Sequence, residues 1–352
     1  VEVDFIIVGQ GLAGSALAIE CLRRGKRIVV FDEPARNKAS AVAAGIFNPV
    51  TGKVMTKTFL ADRLFPFLNK WYAETEKNLH SKFFRSLPVY RPFLSHEEQQ
   101  QWLRRSGDDA LKPFVQQVCE EPYLPAYLNN PHGGLIIRQS GVLDVARWVS
   151  SVRDLLRAGG MYREEHVDDN EVVHGEDIEV RDIRASKVVY CNGLAARGGR
   201  WFGWLPLRAL KGEILTIRAE FSDELIFSRG VYLVPTGMKG SFLAGSTYQH
   251  EPFSEGTSEV GRTQLDEGLT SWLRSPYQVI HHEWGIRPTV IDRRPLLGSH
   301  PQDGNVIIFN GLGTKGVSLA PWFATVLIDW VDNGAALPDE VNISRFKSLY
   351  SN

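Results

Sequence analysis

The sequence predicts a mixed fold, α/β plus α+β: a parallel-sheet domain assembled from several stretches of chain, with an antiparallel-sheet domain inserted into it. Three observations predict it. Phe5-Ile6-Ile7-Val8 is an apolar strand running into Gly9-Gln10-Gly11-Leu12-Ala13-Gly14, a helix from Ser15 to Arg24, and a second strand, Arg27 to Phe31, that ends at Asp32. Leu205 to about Trp284 alternates short apolar strands with turn signals. Val306-Ile307-Ile308-Phe309 then returns to a buried strand followed by glycines and a helix. The expected division is residues 1–82, 140–204 and 285–352 in one discontinuous domain, and 83–139 and 205–284 in the other.

Each part of the opening βαβ unit has a physical job. Gly9 permits the tight turn, Gly11 lets a pyrophosphate approach the backbone, and Gly14 packs helix against strand. The helix N-terminus attracts the anion. Asp32 returns to the mouth of the turn, where it can hydrogen-bond a ribose diol, so the pattern predicts an ADP-containing dinucleotide. A 2′-phosphate would be repelled by Asp32, which disfavours NADP. In Ser40-Ala41-Val42-Ala43-Ala44-Gly45-Ile46, small residues let the backbone pass close to a flat, bulky group. A helical pattern then runs from Phe59 to Leu79, with a kink or restart expected at Pro66.

Between 83 and 139 the sequence shows scattered prolines and one clear helix, opened by the capping box Ser95-His96-Glu97-Glu98. Asp144 caps a helix with Val145, Val149, Val152 and Leu156 on one face, closed by Gly159-Gly160. Lys187 to Gly193 reads as a buried strand ending in a glycine turn. Gly212–Ile217, Gly230–Val234 and Ser241–Gly245 read as strands separated by turns such as Pro235-Thr236-Gly237. The last helix is expected from about Gly316 to Asp332, ended by Gly334.

Composition narrows the partners. Of 352 residues, Lys+Arg number 40 and Asp+Glu 41, so no global field favours nucleic acid or an anionic membrane. Cys21, Cys119 and Cys191 are far apart and without C-x-x-C spacing, which points to a reducing compartment and away from disulfides or structural zinc. No apolar run approaches a membrane span. The first strand starts within the first residues, so the expectation is a cytoplasmic protein without a signal peptide.

Other segments could carry chemistry. Asn310-Gly311-Leu312-Gly313-Thr314-Lys315-Gly316 aims a second helix N-terminus at an electron-rich ligand. Two glycine-to-helix turns suit a long ligand with two anion-stabilising sites. In FAD these would be the pyrophosphate and the N1/C2 carbonyl edge of the flavin. Arg287, in Gly285-Ile286-Arg287-Pro288, offers a rigid fork for a carboxylate, with a surface salt bridge as the bland alternative. Asp292-Arg293-Arg294 reads as a solvated turn. His281 and His282 point to opposite faces of a strand, and no metal site is expected.

These pieces together resemble the D-amino-acid oxidase / glycine oxidase superfamily of FAD-dependent enzymes. The resemblance runs almost end to end. It covers the dinucleotide turn with Asp32, Ala43-Ala44-Gly45, Gly141-Val142-Leu143-Asp144, Val189 to Gly193 and Lys211-Gly212-Glu213-Ile214-Leu215. It continues through Tyr232-Leu233-Val234-Pro235, Gly245-Ser246-Thr247, Gly285 to Pro288 and Gly311 to Pro321. It implies a Rossmann-like FAD-binding domain and an antiparallel-sheet substrate domain. It implies that Arg287 holds a substrate carboxylate, that the Tyr232 hydroxyl lines the substrate pocket, that Lys315 matches a substrate-binding lysine of sarcosine oxidase-like members, and that Asn48 places a polar group beside the flavin. Cofactor contacts carry over to Gly9, Gly11, Leu12, Ala13, Gly14, Asp32, Glu33, Ser40, Ala44, Gly45, Ile46, Val167, Gly193, Gly313, Thr314, Lys315, Gly316 and Val317.

The chain departs from the family in three places. Leu312 replaces the usual His of Gly-His-Gly. No cysteine lies in the C-terminal glycine region, where monomeric sarcosine oxidases attach flavin, so FAD is expected to bind noncovalently. Leu243 stands near where those oxidases carry a lysine associated with oxygen reactivity, which leaves oxidase and dehydrogenase both open. The expected reaction is oxidation of a small carboxylated amine, an amino acid or N-substituted glycine, to the imine by hydride transfer to flavin N5. The alternatives are removal of an N-carboxymethyl group from a tRNA wobble base, an NAD-dependent dehydrogenase, which leaves the second glycine cluster unexplained, and a flavoprotein that binds without turnover. A tRNA surface would draw on Lys53, Lys57, Arg63 and the Arg104-Arg105 pair.

Overall fold

The computed structural model describes residues 1–33, 39–52 and 55–350; Lys53 lies outside these. Five strands lie side by side and parallel in the order Tyr162–Arg163, Ile28–Phe31, Glu2–Val8, Ile183–Tyr190 and Asp303–Asn310. Leu296–His300 joins the last of them antiparallel. Ile6, Ile7, Val30, Val188, Val189 and Val306 to Phe309 are fully buried. Burial on both faces is what a parallel sheet covered by crossovers demands of its sequence. Helix Leu12–Arg23 packs on the closing helix Gly316–Asn333. The carboxyl ends of the strands from both chain termini therefore meet at one edge, where open α/β sheets bind ligands.

The second large sheet is mostly antiparallel and nine-stranded. Its spine is Leu207–Ala219, paired along its length with Tyr277–Val290 from Leu207↔Val290 to Ala219↔Tyr277. Ser241–Gly245, Val231–Pro235 and Ile226–Arg229 extend it. Three further strands, Val89–Pro92, Val115–Cys119 and Gly134–Ile137, come from the stretch where sequence showed only prolines and one helix. They are short, and Val115–Cys119 exposes Gln116 and Gln117, so periodicity gave no signal. Register fixes the functional face: Leu210↔Arg287, Ile214↔Gly245 and Gly245↔Tyr232 are directly opposed. Opposed residues share a face and alternate residues return to it, so Arg287, Gly212, Gly245 and Tyr232 all face one way.

Helix Ala61–Leu79 runs unbroken through Pro66, so no restart occurs. Pro66 sits in the second turn, where its missing N–H costs one bond to the solvent side, at Asp62. Leu64, Phe65, Leu68, Trp71 and Tyr72 hold the helix on the core. Tyr72 donates to the Val317 carbonyl at 2.9 Å, tying this helix to the start of the closing one.

Candidate active site

A cleft of about 730 Å³, including its open mouth, lies where the two sheets face each other. Leu12 and Gly313, Thr314, Gly316 and Val317 line it from the two ends of the chain. Ala44, Gly45 and Ile46 line it from the small-residue loop. Tyr232 and Arg287 line it from the antiparallel sheet, joined by Gly212, Ile214, Ser246 and Tyr248, to which sequence reasoning assigned no role. Ser246 belongs to the Gly245-Ser246-Thr247 stretch of the resemblance but was given no role, and Tyr248 had no local signal, because the approach of their loop to Arg287 depends on sheet register.

The dinucleotide turn is built as its residue types require. Gly9 has φ +99°, which side chains other than glycine resist. A Cβ on Gly14 would stand 1.9 Å from the Gly9 carbonyl oxygen, so only glycine lets helix and strand approach this closely. The N-cap residues Gly11 and Leu312 make no side-chain cap of their own to the helix and the turn that follow them. Ser40 Oγ accepts from the Leu12 N–H at 3.1 Å. Asp32 is buried at the end of its strand; its Oδ1 accepts from Gln10 N–H at 2.8 Å, and Arg153 Nη2 lies 3.7 Å from Oδ2. Arg153 also donates to Gln10 Oε1 at 2.8 Å, a link across 143 residues that sequence reasoning missed.

Arg287 is half-buried and lies across Gly212, where a Cβ would come within 2.3 Å of its guanidinium. Its partners are neutral: Ser246 Oγ at 2.9 Å and the Thr247 carbonyl at 3.5 Å, with the Tyr248 ring 5.2 Å away. Among the described residues no carboxylate pairs with it. The Tyr232 hydroxyl reaches the same face beside Gly245. Burial pushes its pKa up to about 12 against the pull of Arg287, so the phenol is neutral and able to donate.

Other expected residues stand apart from the cleft. The Asn48 side-chain oxygen accepts from Val50 N–H at 3.1 Å, capping its own turn. The Lys315 ammonium reaches the Thr51 hydroxyl at 3.4 Å. Val167 is buried with Val8, Val29 and Phe31, near the end of the Asp32 strand. Glu33 is exposed, its carboxylate 3.0 Å from His166 Nδ1. Gly193 opens a short 3-10 turn and accepts from the Asn310 amide at 2.8 Å. His282 faces away from the cleft, with Nε2 2.8 Å from Glu213.

The residues present fit FAD. Gly9 and Gly14 let strand, turn and helix close tightly where a Cβ would strike backbone, Asp32 stands at the end of the second strand, and the helix starts after Gly11 and Leu312 point their N–H groups at one edge of the sheet. The comparisons with known proteins agree. The ThiO/ThiG bifunctional protein of Trichormus variabilis is 23% identical over 99% of this chain, and the chain spans 56% of it. The chain covers about half the length of the ThiO/ThiG proteins it matches. Glycine oxidase of Geobacillus kaustophilus is 25% identical over 94% of this chain and 93% of that one. A crystal structure of glycine oxidase from that organism superposes with a TM-score of 0.78, covering 98% of both chains at 19% identity. The tRNA 5-methylaminomethyl-2-thiouridine biosynthesis bifunctional protein MnmC of Caulobacter vibrioides is 24% identical over 97% of this chain and 57% of its own length. Residues 4–330 match the family described as DAO, FAD dependent oxidoreductase, and the chain belongs to that family.

Proposed function

We propose that this chain oxidises a small amine bearing a carboxylate, an amino acid or an N-substituted glycine, to its imine, with FAD bound noncovalently. The observation that carries the reading is the Arg287 guanidinium, half-buried in the cleft with only neutral partners. A charge held out of water without a counter-charge is costly unless its ligand supplies one. A carboxylate matches that fork in shape and sign. The similarity to glycine oxidase supports the same substrate class.

FAD, when bound, would supply the two-electron acceptor for the hydride that leaves the α-carbon of the amine. The protein's part is binding and orientation. Gly9, Gly11, Gly14 and Asp32 would hold the ADP half of the cofactor, and Ala44 to Ile46 with Gly313 to Val317, which line the cleft or its turn, would hold the flavin half. Arg287 fixes the carboxylate so that the α-carbon is presented to the flavin, and the Tyr232 hydroxyl adds a second hydrogen bond. The amine binds neutral, so no side-chain base is needed, and the imine is hydrolysed by water afterwards. Residues 1–82, 140–204 and 285–352 form the cofactor-holding part in this reading. The three buried, unpaired cysteines suit a reducing, cytoplasmic setting.

The test is anaerobic bleaching of the flavin by a panel of amines: glycine, sarcosine, D-alanine and proline, each against its decarboxylated counterpart. At least one carboxylated amine is expected to bleach it while the counterpart does not. A flavin that none of them reduces ends this reading.

A further inference from the structure

Gln10, between the first two glycines of the dinucleotide turn, is buried, and its side chain ties three elements together. Its amide nitrogen donates to Ser15 Oγ at 3.0 Å and to the Val149 carbonyl at 2.9 Å, and its Oε1 accepts from Arg153 Nε at 2.8 Å. Its backbone N–H donates to Asp32 Oδ1 at 2.8 Å. The Arg153 guanidinium closes the ring, with Nη2 3.7 Å from Asp32 Oδ2. One residue of helix Val145–Ala158 thus meets both the turn and the acid that follows the second strand.

Helix docking does not require this contact. Val145, Trp148, Val149, Val152 and Leu156 are buried on one face, and the Asp144 side chain caps the first turn. The half-buried Arg153 instead stands over an Asp32 side chain that is only 2% exposed. A buried carboxylate is costly unless it is both hydrogen-bonded and paired. Gln10 and Arg153 meet those two needs, one at each oxygen. At 3.7 Å the guanidinium steers Asp32 by charge and is too distant to occupy a hydrogen-bond position on it. Its Nε is held by Gln10, which fixes the direction in which the fork faces Asp32.

We propose that Arg153 is a positioning residue for the cofactor: with Gln10 it sets the Asp32 carboxylate against the adenosine ribose, so that the site reads the ribose 2′-hydroxyl. This rests on the placing of the ADP half at Asp32 given above and deepens it. An arginine beside a ribose acid is also the device that accommodates a 2′-phosphate. Here the guanidinium is engaged by Gln10 and Asp32, and the buried carboxylate would repel the phosphate, so the arrangement selects a free hydroxyl.

The test uses the full chain stripped of flavin, titrated with FAD and with its analogue built on 2′-deoxyadenosine, each followed by the change in flavin fluorescence. The unaltered protein is expected to bind FAD at least about tenfold more tightly, the effect of one hydroxyl donating to a charged acceptor. Arg153→Met is expected to bring that ratio to within about threefold, weakening FAD while leaving the analogue nearly as before. Should the methionine variant fail to fold, Arg153→Gln, which keeps a polar side chain at this half-buried position, carries the same expectation. An arginine that only held the helix in place would weaken both ligands alike, so a ratio that survives these substitutions overturns the proposal and leaves Asp32 at the ribose. A ratio near one in the unaltered protein overturns the proposal together with the Asp32 assignment, and leaves the Arg287 reading standing. Adenosine 2′,5′-bisphosphate displacing FAD better than ADP does would make Arg153 a phosphate ligand and overturn the proposal as well.

Discussion

At the scale of single residues the site turns on Arg287. Its neutral surroundings make a sharp prediction: Arg287→Leu loses carboxylate recognition and keeps FAD. Removing a buried, charge-assisted bidentate contact costs on the order of 2–5 kcal/mol, or about thirty- to several-thousand-fold in affinity. A surface salt-bridge partner would cost about 1 kcal/mol or less in stability and leave turnover intact. Steady-state kcat/KM with the best amine, alongside the flavin-to-protein ratio, separates the two; unchanged kinetics would show that Arg287 is not the clamp. Arg287 was legible from the rigid fork that an arginine in Gly-Ile-Arg-Pro offers, and Tyr232 only through the family resemblance of its Tyr-x-x-Pro strand; both line the cleft. Ser246 and Tyr248 were not legible, since only the pairing Gly245↔Tyr232 and Ile214↔Gly245 brings their loop against the guanidinium. Asn48 accepts from the Val50 N–H through its side-chain oxygen, a turn contact that its place in the sequence did not announce.

At the scale of elements, the reverse face of the same sheet holds a buried charged pair. Lys211 Nζ lies 3.1 Å from Glu213 Oε1, and both side chains are almost fully buried. Ser258, the N-cap of helix Glu259–Thr270, donates to the Glu213 carboxylate through its backbone N–H at 2.9 Å and its hydroxyl at 2.8 Å. Burial works to raise the Glu213 pKa, but these donors and Lys211 outweigh it and the net shift is downward. A carboxylate with a depressed folded pKa contributes stability above its ordinary pKa, lost as pH falls through the folded value. The pair should therefore hold helix and sheet together at neutral pH and release them in acid, below the usual glutamate range. Glu213→Ala leaves Lys211 buried without a counter-charge, and about 3–5 kcal/mol of destabilisation is expected. Replacing both members, as in Lys211→Met/Glu213→Leu, should recover most of that loss. Urea unfolding at pH 7 and pH 4 checks both statements; a Glu213→Ala loss under about 1 kcal/mol, or one that grows in acid, would contradict them. Regular elements with strong periodicity were legible from sequence, among them helix Val145–Ala158 with its Asp144 cap. The short strands between 89 and 137 were not, because they pair across loops with one another and Val89–Pro92 joins the sheet only through Ile226–Arg229, far along the chain.

At the scale of the whole molecule, the chain brings turns from its first and last strands to one cleft. The turn after Val8 and the turn after Asn310 stand at the same edge of one sheet, and both line or border the cleft. Net charge of −1 supplies no long-range pull on a polyanion. Lys57 is held by Asp62 at 2.7 Å, and Arg105 stacks on Trp102. The convergence of both ends has a thermodynamic consequence. FAD binds the folded chain and not the unfolded one, so it stabilises by RT ln(1 + [FAD]/Kd), about 2.7 kcal/mol at a hundredfold excess over Kd. Protein stripped of flavin should thus melt several degrees lower and regain that margin as FAD is titrated back. Cys21, Cys119 and Cys191 are all buried, burial pushes their thiol pKa values up, and none lies in the C-terminal glycine turn. A thiolate able to attack the isoalloxazine is therefore missing from that turn. Heat or acid denaturation should release the flavin into the supernatant with the spectrum of free FAD. Melting that ignores added FAD would show that the two ends do not share this ligand. Yellow colour retained in the washed precipitate would show a covalent bond formed by some other group.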